Sequence, residues 1–288
     1  MKKLILLAFC ISFGFIVRAQ TTVDTSAADQ LGWQLAVHSY TFQKFSIFDA
    51  IDKTKALGVK YMSISGSVML DGTNRIITVD LTDGQRAAID RKLAADGFGH
   101  FVNIGVVQLP ADEAKCRKVF EFAKKWGIGT LVAEPPTNAL DIVDMLCQEY
   151  HIKVAIHDHP RSHSIYWNPD AVLAAIKGRS PWIGACADVG HWIRSGLDPL
   201  ACLKKLEGHI FCLHFKDLNE YGMNAHDVPW GTGVGKTRQL MEELKRQHFH
   251  GAFCVEYEYH WENSSPEIAQ CVKFFNQTCD ELVAESKN

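Results

Sequence analysis

Apolar residues recur along this chain in two alternating rhythms. Short apolar, β-branched runs bounded by turn residues predict strands at WQLAVHSY (33–40), YMSIS (61–65), HFVNIGV (100–106), TLVAE (130–134), KVAIHDH (153–159), IGACAD (183–188), IFCLHFKD (210–217) and AFCVEYE (252–258). Helix-period segments follow in turn: SIFDAIDKTKALG, DGQRAAIDRKLAADG, ADEAKCRKVFEFAKKWG, LDIVDMLCQEY, PDAVLAAIKG, DPLACLKKLEG, TRQLMEELKRQ and SPEIAQCVKFFNQTCDELV. Several open on Asp, Ser or Thr and close on Gly, the chemistry that starts and stops helices. This repeating βα pattern predicts an α/β protein built as one (β/α)8 barrel over residues 31–288, after a polar linker over 20–30. An open doubly wound sheet would carry a Gly-rich phosphate turn after its first strand, and none stands there.

The first residues, MKKLILLAFCISFGFIVRAQ, combine a basic start at Lys2 and Lys3, an apolar stretch over 4–17 and a small residue at Ala19. That is the pattern of a signal peptide over 1–19, which predicts a secreted or periplasmic protein. The stretch is shorter than the ~20 residues a spanning helix needs, so no membrane insertion of the mature chain is expected. The net charge of -3, without a run of Lys or Arg, argues against nucleic acid as a partner. Eight cysteines follow the leader, none in a C-x-x-C pair and most inside apolar patterns, which predicts buried free thiols.

In a barrel of this kind the reacting groups sit at the C-terminal ends of the strands. Here five successive strand ends carry carboxylates or imidazoles: Glu134, then His157 and His159, then Asp188 with His191, then His214, then Glu256 and Glu258. Like-charged carboxylates converging on one mouth raise each other's pKa, and one divalent cation removes the conflict. Glu, His and Asp donors without thiolate suit Mn, Zn, Co or Mg. Strand parity points His157 inward as a ligand and His159 the same way as a supporting or substrate-contacting residue, while Asp158 faces the other side with a structural role. GTGVGKT (231–237) imitates a phosphate loop, but the motif needs glycine where Trp230 stands.

The ordered series VAEPP, AIHDHP, CADVGHWIRSG, LHFKDL, HDVPWGTG and VEYEYHW resembles the sugar phosphate isomerase/epimerase family. That group belongs to the xylose isomerase-like TIM barrels, with ketose 3-epimerases and endonuclease IV as relatives. The resemblance implies one divalent metal held by residues at the ends of strands five to eight. Asp188, His214 and Glu256 match three of those positions, and His157 stands where the epimerases carry a glutamate that also serves as a base. Glu134 is the candidate to supply the missing carboxylate, as ligand or base.

The expected chemistry is a metal-dependent sugar isomerase/epimerase reaction through an enediolate, with His157, Glu134 and Glu256 as candidate bases. His38, His159, His191, Trp192, Arg194, Lys216 and Trp230 are the expected substrate contacts, and Trp261 offers a further flat face. Export points to an unphosphorylated keto-sugar. The alternatives are a lyase that cleaves 3-keto-glycosides by β-elimination and a sugar-binding protein without catalysis.

Overall fold

The computed structural model describes residues 26–286. The expected signal peptide therefore lies outside the described residues. Of the expected linker, the stretch that is described is not extended: Ala27–Leu31 is a short helix, opened by a reciprocal Ser26–Asp29 capping box and closed by Gly32 at φ 73°. Ala27, Ala28 and Leu31 pack on the core, and this burial is what orders the segment.

Eight parallel strands close into a barrel. They are Trp33–His38 (β1), Tyr61–Ser65 (β2), Ile104–Val107 (β3), Thr130–Ala133 (β4), Lys153–His157 (β5), Ile183–Asp188 (β6), Ile210–Phe215 (β7) and Gly251–Val255 (β8). Each pairs with its sequence neighbours, and β8 pairs with β1 to complete the ring. The helices between them cover the outside, and the Trp33, Phe215, Phe253 and Phe275 rings pack between that cover and the sheet. The third strand begins at Ile104, four residues later than the apolar run, whose Phe101 turns aside to pack on Trp126.

Below the mouth the barrel interior is filled by small side chains: Ala36, Val132, Ala155, Cys186, Cys212 and Cys254. These residues sit two positions before His38, Glu134, His157, Asp188, His214 and Glu256, so the period-two rule that buries them also turns the polar residues into the barrel. All eight cysteines of the described residues are free and buried, as the apolar patterns predicted.

A two-stranded antiparallel hairpin, Ser67–Met69 with Arg75–Ile77, extends over the mouth after β2. Its turn is held by Asp71, whose Oδ1 accepts from Thr73 N at 2.9 Å and Asn74 N at 3.1 Å. Gly66 is required at the base of the hairpin, since a Cβ there would meet the Val106 carbonyl oxygen at 2.2 Å.

Candidate metal centre and its cavity

His157 ends β5, Asp188 ends β6, His214 lies in β7 and Glu256 follows β8 directly. Their donor atoms all lie within 4.8 Å of one another, and all four residues are buried. His214 Nδ1 is 3.0 Å from Glu256 Oε2 and 3.2 Å from His157 Nε2, and His157 Nε2 is 3.6 Å from Asp188 Oδ2. Asp188 uses its other oxygen, Oδ1, to cap the helix Val189–Arg194 by accepting from His191 N at 2.9 Å. That cap fixes the carboxylate and leaves Oδ2 aimed at the cluster without an aligned hydrogen bond. Two imidazoles and two carboxylates converging in a buried pocket are a donor set that fits a divalent cation.

One ammonium reaches the same oxygens. Lys216 Nζ, fully buried, lies 2.9 Å from Asp188 Oδ2, 2.8 Å from Glu256 Oε2 and 2.9 Å from Glu258 Oε2. Burial works against its charge, yet these carboxylates hold its pKa well above the usual lysine value. Burial likewise opposes ionisation of Asp188 and Glu256, but the adjoining imidazoles and Lys216 keep both carboxyls well below the ordinary range. For His157, burial is outweighed by the neighbouring Asp188 and Glu134 carboxylates, and its pKa is raised to about 10.

Glu134, which follows β4, is drawn away from this set. Its Oε1 accepts from His157 Nδ1 at 2.9 Å and from His159 Nδ1, while Oε2 accepts from Ser164 Oγ at 2.5 Å. Burial disfavours its charge, but the two imidazole hydrogen bonds prevail and lower its pKa to about 2. Glu134, His157 and His159 also lie close enough to one another to share an ion. Both Glu134 oxygens are already acceptors in this network, and these contacts orient the two imidazoles. Glu134 thus stands apart from the Asp188, His214 and Glu256 group and shares only His157 with it.

A family model described as xylose isomerase-like TIM barrel matches residues 51–278. The chain belongs to that family. Among solved structures with this barrel, an uncharacterized protein from Parabacteroides distasonis ATCC 8503 is 33% identical, with a TM-score of 0.68 over 85% of this chain and 99% of that one. A D-tagatose 3-epimerase-like protein aligns at 17% identity and a TM-score of 0.67, over 88% of this chain and 100% of that one. The probable 3-DHS dehydratase AsbF involved in petrobactin synthesis from Bacillus anthracis aligns at 14% identity and a TM-score of 0.66, over 84% and 98%. No curated protein matches the sequence.

Around the centre of this xylose isomerase-like barrel lies a cavity of about 570 Å³, bordered by His38, His157, His159, His191, Glu256 and Glu258 among others. His159 stacks on His191 at 5.0 Å between ring centroids. With Nδ1 bound to Glu134, its Nε2 has no protein partner among the described residues. His38 is fixed by a relay: Ser63 Oγ donates to Asn103 Oδ1, so it accepts from His38 Nδ1 at 2.7 Å. Burial lowers the His38 pKa to about 3, and the imidazole is neutral.

Other expected contacts fall elsewhere. Trp192 and Trp230 are buried in the core, where Trp230 packs edge-on against Phe215 at 4.7 Å, so neither offers a face to a sugar. Trp261 sits beside the mouth, edge-on to Tyr40 at 5.6 Å. Arg194 is committed to Glu258 at 2.9 Å and Asp227 at 3.0 Å. Asp158, as parity implied, is structural: its Oδ1 accepts from Asp188 N at 3.0 Å. The false phosphate loop has a physical origin too. Its glycine N–H groups form an anion cradle, and the buried Asp217 carboxylate fills it, accepting from Gly231, Gly233 and Gly235 at 2.8–3.0 Å. Asp227 and Ser164 escaped sequence reasoning because both lie in loops that carry no periodic pattern.

Proposed function

We propose that the protein is a metal-dependent sugar isomerase or epimerase that removes a proton from the carbon next to the carbonyl of an unphosphorylated keto-sugar. The observation that carries this reading is the convergence of His157, Asp188, His214 and Glu256 next to a cavity that His157 and Glu256 border together with the partnerless imidazole nitrogen of His159. A divalent cation held by those four residues would supply Lewis acidity toward a sugar carbonyl and its neighbouring hydroxyl. Glu134 holds the Nδ1 proton of His159 and thereby presents Nε2 as the proton acceptor. His159 thereby joins His157, Glu134 and Glu256 as a candidate base, and is favoured over His157 because His157 belongs to the cluster that could hold the cation. His191 and Glu258 border the same cavity and supply hydrogen-bonding groups for sugar hydroxyls. Export, read from the leader pattern, supports a substrate that is not a cytosolic sugar phosphate.

A second reading, cleavage of 3-keto-glycosides by β-elimination, is favoured by the asymmetry of the bases. A two-base epimerisation wants a second proton carrier opposite the first. There Glu256 is engaged by Lys216 and His214, and His38, held at about 3, is too weakly basic. A single base suffices to enolise a glycoside oxidised at carbon three, after which the glycosidic oxygen on carbon one departs with its electron pair and takes up a proton. The names of proteins sharing this fold include an epimerase-like protein and a dehydratase, so the barrel is compatible with proton return and with elimination.

One experiment separates the readings. The metal-loaded protein and its Asp188→Ala variant are incubated in deuterated water with free ketohexoses and with a 3-keto-glucoside bearing a chromogenic aglycone. Metal-dependent deuterium incorporation without release supports the epimerase, and release supports the lyase. Neither, across both substrate types, would refute proton abstraction and leave a sugar-binding protein.

A further inference from the structure

The cavity has two chemically different halves. One presents the imidazoles and carboxylates described above; the other carries Ile77, Val79, Val106, Val107, Pro110 and Val119, with Asp80, Gln108, Lys115 and Lys118 beside them. Ile77 is 59% exposed, and of the five large apolar side chains that stand exposed among the described residues it alone borders this cavity. Its exposure is built in. The next residue, Thr78, is buried, and donates from its backbone N to Gly66 O at 2.9 Å and from Oγ1 to Ser65 O at 2.6 Å. On the strand side, Arg75 is tied to Gln43 O at 2.7 Å and Ser67 O at 3.1 Å. The chain is thus clamped on both sides of a side chain that water would otherwise disfavour at the surface. Exposed apolar surface held rigidly beside a reactive site is the usual mark of a surface that a ligand covers.

A free hexose has polar edges all round and only its small C–H faces to set against this wall, so much of the apolar surface would stay uncovered. We infer that the ligand is amphipathic: a glycoside whose sugar lies on the polar half and whose aglycone is an apolar, aryl-sized group seated against Ile77 and Val79. The about 570 Å³ of the cavity lies within the range of pockets that enclose ligands larger than a monosaccharide. The wall also joins the hairpin to the barrel's β3, so that an aglycone would bridge two elements already linked at the hairpin's base, where Gly66 N donates to Gly105 O at 2.9 Å.

This inference rests on the carbohydrate reading of the same site, and binding measurements keep the two apart. The probes are methyl and phenyl 1-thio-β-D-glucosides, each offered also as its 3-keto form, titrated calorimetrically into the full chain with and without Mn or Zn. The phenyl glycoside of whichever form binds should bind about tenfold more tightly than the methyl glycoside. Ile77→Ser should bring the two within about threefold and leave the methyl affinity unchanged. Ile77 is exposed, so the exchange spares the fold; Val79→Ser, on the same wall, is the second variant. Equal binding of methyl and phenyl glycosides by the wild type would overturn the apolar-aglycone assignment and leave the sugar reading intact. Binding of neither pair, in either form, would overturn both.

Discussion

Replacing Lys216 by Met asks what neutralises the barrel mouth. The ammonium lies 2.8–2.9 Å from three carboxylate oxygens, on Asp188, Glu256 and Glu258. At an effective dielectric near 20 each contact is worth roughly 4–6 kcal/mol before desolvation is counted. Much of that is offset by the cost of burying the charges, and removing one member of a buried ionic cluster typically costs about 3–5 kcal/mol, because its partners are left uncompensated. Met matches the stem of lysine in shape, so the loss is electrostatic and not a cavity effect. In metal-free protein Lys216→Met should therefore lower the melting temperature by roughly 10 °C for a domain of this size. A divalent cation can take over the same oxygens. The variant should bind Mn or Zn at least about tenfold more tightly than wild type, and saturation at a hundredfold over Kd should return about 2.7 kcal/mol. Differential scanning calorimetry after chelation, repeated across a metal titration, measures both effects. The reasoning fails if the metal-free variant is as stable as wild type, or if metal stabilises the two proteins equally.

Two further perturbations test the surroundings of that centre. Glu134, lowered to about 2 by its imidazole partners, contributes stability that is fully present above its unfolded value near 4.5 and is lost as pH falls towards 2. The contribution is about 3 kcal/mol at most, so acid unfolding of chelated Glu134→Gln should be flatter than wild type between pH 4.5 and 2, and parallel curves would refute the assignment. Asp217→Ala leaves the N–H groups of Leu218, Gly231, Gly233 and Gly235 without their acceptor, which should cost about 3 kcal/mol or more in urea unfolding. Asp217→Asn, which exchanges one acceptor for a donor, should lose less; no loss in either variant would mean the loop is held by something else.

Which parts of this protein can be read from its chain follows from the range of the forces involved. The βα alternation is local, so all eight barrel strands and the eight longer helices that follow them are legible from period and caps, and the helix Leu140–Tyr150 coincides with its apolar pattern end to end, whereas the short helices Ala27–Leu31 and Val189–Arg194 are not legible in this way. Ligand direction is equally local, because parity along KVAIHDH turns His157 and His159 one way and Asp158 the other. The same rule applied to LHFKD places Lys216 inward with His214 and Asp217 outward, a reading that the long reach of a lysine side chain obscures. The hairpin after β2 had a signal as well, an Asp71-Gly72 turn between apolar runs. Other features depend on distances that no window of sequence contains. Whether Trp192 faces a ligand or the core is set by how Asp188 caps its helix, and whether Glu134 binds metal or imidazole is set by a loop that brings Ser164 to its second oxygen.

The pairing of charges around the cavity bears on the substrate more directly than the name of the family does. A site for a sugar phosphate needs cationic or amide donors left over after the protein has satisfied itself. Lys216 is shared among three carboxylates and Arg194 between Glu258 and Asp227. At the rim Lys118 lies 2.5 Å from Asp80 and Lys115 lies 3.6 Å from Asp112. The glycine N–H groups that would cradle a phosphate are taken by Asp217. Of the four residues that could hold a cation, Asp188 and Glu256 carry two formal negative charges, which a divalent cation would cancel. Every cation bordering the cavity among the described residues is thus matched from within. A dianionic phosphate entering here would compete with Asp80 and Asp112 for the rim lysines, whereas a neutral sugar asks only for hydrogen bonds, and that difference favours the unphosphorylated substrate proposed above.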